Sequence, residues 1–354
     1  MLMAQSDRTS QPIAGVSAIE PAVASPGGPD AFARLAEPYR RQIKAHCYRM
    51  SGSLHEAEDL VQETYLRAWR AFASFEGRGS LKAWLYQIAT RICLDAIAQR
   101  KRLPRILPEG SFPPATEMPS GQPPADIAWL EPYPDSELDQ LADESPDAET
   151  RYLQRESVRL AFVAALQHLP PRQRAVLLLI DVLGWSSAET ALLIGGSTAS
   201  VNSALQRARS TLERHNRAGM DGPIVAPPDQ QALLDRYVRA WEDKNLDGFV
   251  ALLKSEATYA MPPWSHWYLG REAIGRFFGA VWKHYGRFRL LPTQANGQPA
   301  FVLYTQADGE RAWRAHSVQV LGIEGDAISS LTAFMRPLAP ALIPSFGLPL
   351  AFED

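Results

Sequence analysis

The sequence predicts a multidomain chain: two all-α modules, the second carrying a helix-turn-helix, followed by a C-terminal α+β cone. Three observations predict it. Apolar residues recur at helical spacing through 32–102 and again through 151–215. Pro-rich stretches at 103–150 and 216–228 interrupt every periodic pattern. After residue 228 the texture changes to a few helices and then several strand-length runs. With 354 residues the chain is too long for one ordinary core.

The first module starts after residues 1–31, whose Ser, Pro, Gly and Ala content reads as a disordered tail. In 56–72, Val61, Thr64, Tyr65, Ala68 and Phe72 form one stripe, while Asp59, Glu63, Leu66 and Arg70 face away. The Gly-containing turn 76–80 follows, with Ser80 placed to cap the next helix. That helix is expected to bury Leu81, Leu85, Ile88, Ala89, Ile92 and Ala96. Gln87, Thr90, Arg91, Leu94 and Lys101 point outward, and Trp84 sits on the flank. Pro104 stops it after the basic run 100–102.

Residues 103–150 hold ten prolines and no apolar period, so they read as a flexible, extended linker. The second module spans 151–215. A very apolar helix is expected through 175–183, closed by Gly184. Ser186 to Glu189 is a capping box opening a short helix. Gly195 and Gly196 make a tight turn, and a longer helix follows: the helix-turn-helix pattern. On that last helix Val201, Ala204, Leu205, Ala208 and Leu212 make the buried stripe. Ser203, Gln206, Arg207 and Ser210 lie opposite, suited to a DNA groove.

A linker at 216–228 leads to the third part, 229–340, with a tail at 341–354. Helices are expected at 229–243, from about 247, and at 271–284. Strands are expected at 257–261, 287–292, 299–305, 312–322 and 327–335.

The net charge of −3 hides a segregation. Residues 32–105 carry 14 basic and 7 acidic groups; 106–150 carry 11 acidic and no basic group; 151–218 carry 9 basic and 4 acidic groups. Two basic blocks about an acidic strip suit a polyanion gripped at two places. Cys47 and Cys93 have no metal or disulfide spacing and are expected to pack as small apolar groups. No run of 18 apolar residues and no secretory pattern is present. The chain is therefore expected in the cytoplasm, without a membrane partner, metal or cofactor.

Ala57 to Arg70 (AEDLVQETYLRAWR) and 79–90 (GSLKAWLYQIAT) resemble region 2 of bacterial extracytoplasmic-function sigma factors. Leu169 to Leu177 (LPPRQRAVL) and the helix-turn-helix resemble region 4 of the same sigma-70 family. The resemblance implies two all-α sigma domains, a region 2 helical bundle and a region 4 helix-turn-helix. It implies core RNA polymerase (largest-subunit clamp helices and flap) and promoter DNA as partners. It places Asp59, Gln62, Glu63 and Leu66 on the clamp helices. Arg78, Trp84, Arg91 and Lys101 are placed on the −10 element, where unstacked bases need aromatic and cationic surfaces. Asn202, Ser203, Gln206 and Arg207 are placed in the −35 major groove, with Arg209 available to phosphate. Many relatives carry a basic residue where this chain has Asn202; Asn and Gln suit adenine or a mixed readout instead, and Arg207 suits guanine or phosphate.

The third part resembles the SnoaL-like, polyketide-cyclase-like fold of the nuclear-transport-factor-2 (NTF2-like) superfamily. It does so through element order, Trp241, Gly270 to Ile274 and the final strands. A sigma factor with such a tail is similar to the sigma-G-like branch, which implies control in cis; no zinc-binding anti-sigma partner is implied. Trp241, Tyr259, Trp264, Trp282 and His316 are candidates for a small-molecule pocket, with Trp267 as further apolar lining and His316 or His266 as the general base if the cone were catalytic. The alternative is that these aromatics are the domain's core. No HExxH, nucleophile elbow, phosphate loop or carboxylate pair appears, so an enzyme is not expected. An isomerase- or hydrolase-like cone tethered to DNA-binding domains is the competing reading. A helix-turn-helix regulator independent of polymerase is a third; it leaves 56–102 without a purpose.

Overall fold

The computed structural model describes residues 29–75, 79–99, 104–138, 157–215 and 228–353. The first helical unit comprises α1 (Pro29–Ala36), α2 (Arg40–Ser51), α3 (Leu54–Ala71) and α4 (Leu81–Gln99). Ser53 caps α3 by accepting from Glu56 N, and Ser80 Oγ accepts from Ala83 N at the start of α4. Val61, Thr64 and Ala68 are buried as their spacing requires. Thr90 departs from its expected outward position. It is fully buried and hydrogen-bonded at 2.9 Å to His46 of α2. A threonine on a nearly apolar face finds its partner inside, which a pattern of apolar residues does not register. The two cysteines, on α2 and α4, meet in this core as free thiols, and their mutual hydrogen bond and burial push the Cys47 thiol well up.

The second helical unit is α5 (Leu160–Gln167), α6 (Pro171–Leu177), α7 (Ser187–Ile194) and α8 (Thr198–His215). The expected apolar helix past Ala175 is α-helical only to Leu177 and then widens into a π turn, Leu178–Val182. The Ser186–Glu189 capping box is formed in full. Gly195 and Gly196 take φ of 70° and 154°, giving the turn before α8.

The third unit opens with α9 (Pro228–Glu242) and α10 (Leu246–Ala251). β1 (Leu253–Ala260), β2 (Trp267–Leu269), α11 (Arg271–Val281), β3 (Arg287–Ala295), β4 (Gln298–Gln306), β5 (Ala312–Glu324) and β6 (Ala327–Phe334) follow. The sheet order is β2-β1-β6-β5-β4-β3, antiparallel except for the parallel β1–β6 pair. Its concave face closes over Tyr237, Trp241, Phe249, Phe278 and Trp282.

Two sequence expectations are corrected. Residues 104–138 are not an extended linker. Leu107, Trp129, Leu130, Tyr133 and Leu138 are buried, and the segment runs as a strap between the helical units and the sheet. Burying a large apolar side chain contributes roughly 1.5–3 kcal/mol. Prolines that already restrict the free chain reduce the entropy lost on ordering. Nor do residues 341–353 stand apart from the fold as a tail. Leu342 and Ile343 are buried at the end of α12 (Ala339–Leu342), and β7 (Ala351–Glu353) pairs with β5. Among the described residues no helix is long and apolar enough to cross a membrane.

Candidate nucleic-acid interface

On α8 the buried stripe Val201, Leu205 and Ala208 fixes the helix against its unit, and Asn202, Ser203, Gln206, Arg207 and Arg209 are all exposed. Two of these are already engaged within the chain. Asn202 Oδ1 accepts from Ser187 Oγ at 2.6 Å. Arg209 forks onto Asp181, Nη2 to Oδ1 at 2.6 Å and Nε to Oδ2 at 3.0 Å. Arg209 must exchange that carboxylate for a phosphate to grip DNA, so its net contribution is reduced.

On α3, Asp59, Gln62 and Leu66 are exposed along one face. Glu63 is half-exposed and pairs with Arg67 at 2.6 Å. The same face continues to Trp69, 46% exposed, which sequence reasoning missed. Its helical offset from Leu66 was the available signal. On α4, Trp84 is half-buried with its ring 4.9 Å from Phe75, and Arg91 is exposed. Arg78 and Lys101 lie outside the described residues.

In the C-terminal unit, Trp241, Tyr259, Trp282 and His316 line one cavity, but Trp264 does not. The Trp264 ring instead lies 6.4 Å from His266. The cavity is only about 30 Å³, room for about one water. Tyr285, missed in the sequence, brings its hydroxyl to 3.0 Å from His316 Nε2. Burial, then the nearby Arg336 charge, pushes the His316 pKa down to about 4. A neutral, weakly basic imidazole in a water-sized space is poorly matched to general base work near neutral pH.

A dense polar constellation lies elsewhere. Asn296 and Gly297, with φ of 58° and 68°, form the two-residue turn joining β3 to β4. Asn296 is fully buried among three parts of the chain. Its N donates to Tyr133 O at 2.8 Å, and its Oδ1 accepts from Tyr133 N at 2.8 Å. Its Nδ2 donates to Tyr48 Oη on α2 at 2.9 Å and to Val158 O, before α5, at 2.6 Å. Gly297 N donates to Asp135 Oδ1 at 2.8 Å. One hairpin tip therefore ties the sheet to both helical units and to the strap.

Around it the helical units touch directly. Arg49 Nε donates to Ser157 O at 3.2 Å and Gln167 Nε2 to Arg49 O at 3.2 Å. Buried Arg174 of α6 donates to Met50 O and, at 2.6 Å, to Gln167 Oε1. Glu131 of the strap sits at the N-terminus of α3. It accepts from Leu54 N at 2.8 Å, Ser53 Oγ at 2.9 Å and His55 Nδ1 at 3.0 Å. At the other end, the strap is pinned to β2: Ala115 N donates to Trp267 O and Trp267 Nε1 to Phe112 O, each at 2.7 Å.

Comparison with known proteins gives three family matches. Residues 35–103 match sigma-70 region 2, 159–212 match sigma-70 region 4, and 234–331 match the SnoaL-like domain. The chain is 48% identical over 325 residues to "ECF RNA polymerase sigma factor SigG" of Mycobacterium tuberculosis, covering 90% of this chain and 84% of that protein. It is 29% identical over 180 residues to the sigma factor SigE of Mycolicibacterium smegmatis, covering 50% of this chain and 58% of that one. Among solved structures, the Mycobacterium tuberculosis extracytoplasmic function sigma factor SigJ aligns with a TM-score of 0.57 at 22% identity. That alignment covers 91% of this chain and 99% of that chain, and it shows a shared fold.

Proposed function

The chain belongs to the extracytoplasmic-function (ECF) sigma-70 family, whose members recruit RNA polymerase to promoters, and from that premise we propose that its C-terminal domain holds regions 2 and 4 in a closed form that must open for transcription. The observation that carries this is the Asn296 junction, which joins all three domains and the strap through one buried side chain. The −10 and −35 elements are about 25 base pairs apart, roughly 85 Å of B-form DNA. Region 2 and region 4 in direct contact through Arg49, Gln167 and Arg174 cannot reach both at once.

On this reading Asp59, Gln62, Glu63 and Leu66, extended by Trp69, meet the clamp helices of the polymerase largest subunit. Their exposure in the closed form lets polymerase engage region 2 first. Arg78, Trp84, Arg91 and Lys101 serve the −10 element. Asn202, Ser203, Gln206 and Arg207 read the −35 groove, and Arg209 trades Asp181 for phosphate. The work is done on nucleoid DNA in the cytoplasm, and the cone regulates rather than catalyses. Small-molecule control through the cone itself requires its aromatic cavity to open well beyond 30 Å³.

The test is run-off transcription with core polymerase, comparing the full-length chain with Asn296→Gly, which keeps the positive φ and removes the side chain. Promoter-specific transcripts should rise severalfold in the variant. Equal or lower output from a folded variant refutes the closed-form reading.

A further inference from the structure

A cavity large enough for a small molecule lies outside the cone, where region 2, the strap and region 4 meet; its volume is about 540 Å³, and Leu338 of the C-terminal domain also touches it. That volume is within the range of ligand sites, roughly 300–1,000 Å³; the aromatic cavity of the cone is about 30 Å³. A second cleft, about 580 Å³ between strap and sheet, is lined by the carboxylates Glu109, Glu256 and Glu324, which disfavour an anion there. We propose that this junction cavity binds a small amphipathic organic acid, and that the acid acts as a corepressor by filling a site that exists only in the closed form.

The walls set the ligand's chemistry. Met50, Ile97, Ile127, Leu169 and Pro171 give an apolar body. The cationic side chains are Arg105 and Arg174. The carboxylates beside them are already engaged. Glu131 is held at the α3 N-terminus, and Glu56 pairs with Arg105 at 3.2 Å. Buried N–H groups without an acceptor remain on two lining residues, Trp129 Nε1 and Arg174 Nε. A buried donor left without a partner costs about 1–3 kcal/mol. A modest side-chain shift toward a ligand carboxylate or sulfonate relieves that cost. An apolar ring with one anionic end therefore matches the site better than a sugar or a cation does.

The sign of the effect follows from the geometry. Separating region 4 from region 2 dismantles the cavity, so the ligand binds the closed form alone and shifts the population toward it. This inference rests on the closed-form reading above, and the experiment separates the two.

The probe is 8-anilinonaphthalene-1-sulfonate, an aromatic anion whose fluorescence reports binding, titrated into the full-length chain. X-ray scattering of the unliganded protein runs in parallel. The wild type should bind the dye, and Ala128→Trp, which fills the cavity from its strap wall, should weaken binding at least tenfold. Trp129→Phe keeps an aromatic ring, loses the N–H and should weaken it about threefold; it decides the question if scattering shows that Ala128→Trp opens the chain. The dye should lower run-off transcription by the wild type at least threefold. No dye binding, equal affinity in wild type and both variants, or stimulation of transcription overturns the corepressor site while a compact scattering profile leaves the closed form standing. An extended profile of the unliganded wild type overturns the closed form and the site with it.

Discussion

Asn296 engages both amide hydrogens, its amide oxygen and its backbone N–H at one point, two bonds to the strap backbone and one each to Tyr48 and Val158. Removing the side chain leaves Tyr133 N without its acceptor, at a cost of about 1–3 kcal/mol. Gly52 is a second close-approach residue of the junction. Its φ is 72°, and a Cβ there would meet Leu130 Cδ1 at 2.9 Å and Gln167 at 3.1 Å. Gly52→Ala should therefore loosen closure by at least about 1 kcal/mol, read as faster amide exchange in 128–135. Gln206, exposed on α8, belongs to the surface proposed for the −35 element. Gln206→Ala should relax preference at one −35 position and leave polymerase affinity unchanged; unaltered selection from a randomised −35 library would refute that role. His316 and His46 make an acid-side prediction. Burial holds their pKa values near 4 and 3, below the usual 6.5. Neutral imidazoles favour the fold, so their contribution is complete above about pH 6.5 and is lost as pH falls toward 4 and 3. His316→Gln should flatten that acid-side loss, by up to about 3 kcal/mol at pH 4, in urea unfolding of the C-terminal domain.

The strap is the element whose behaviour its composition conceals. Its acidity implies solvation, yet Glu131 is drawn onto the N-terminus of α3, and Glu137 pairs with Lys44 of α2 at 2.7 Å. Glu109 behaves differently. Burial pushes its pKa up to about 7, and its Oε2 has no partner. A carboxyl raised in the fold stabilises it fully below about pH 4.5, and that contribution is lost as pH rises through 7. Glu109 lies in the wall between strap and sheet with Arg159, Glu256 and Glu324. The strap should therefore release more readily at pH 8 than at pH 6. Glu109→Gln should remove most of this difference, measured as the pH dependence of protease cleavage within 104–138. A pH dependence unchanged in Glu109→Gln would assign it to another group.

At the scale of the whole molecule, three domains share one continuous apolar cluster running from region 2 through region 4 to the outer face of the sheet. A separate cluster fills the cone. Separating the domains therefore breaks burial at the junction without disturbing the interior of the cone. Unfolding by denaturant should accordingly show two transitions, with the cone last. Coincident changes in α-helical and near-ultraviolet signals would contradict it. Opening lets the basic faces, exposed already in the closed form, reach their two DNA elements together, so promoter binding should weaken steeply with salt.

The sequence by itself determined the local structure and the family. Helical spacing, the Ser186 capping box and the glycine turn before α8 are properties of neighbouring residues, and a pattern carries them completely. The exposed residues of α8 and α3 were legible for the same reason, since each helix has one apolar stripe. Tertiary structure alone decided what the strap does, where Asn296 goes and how much room the aromatic cone leaves. Asn-Gly signals a hairpin turn, but its burial between Tyr48 and Val158 depends on partners 248 and 138 residues away. Prolines and acids signal exposure, whereas Trp129, Leu130 and Tyr133 find cover only once three domains converge. Aromatic residues suit a ligand pocket and a packed core equally well. Only their mutual distances, such as 4.9 Å between Trp241 and Trp282, separate the two.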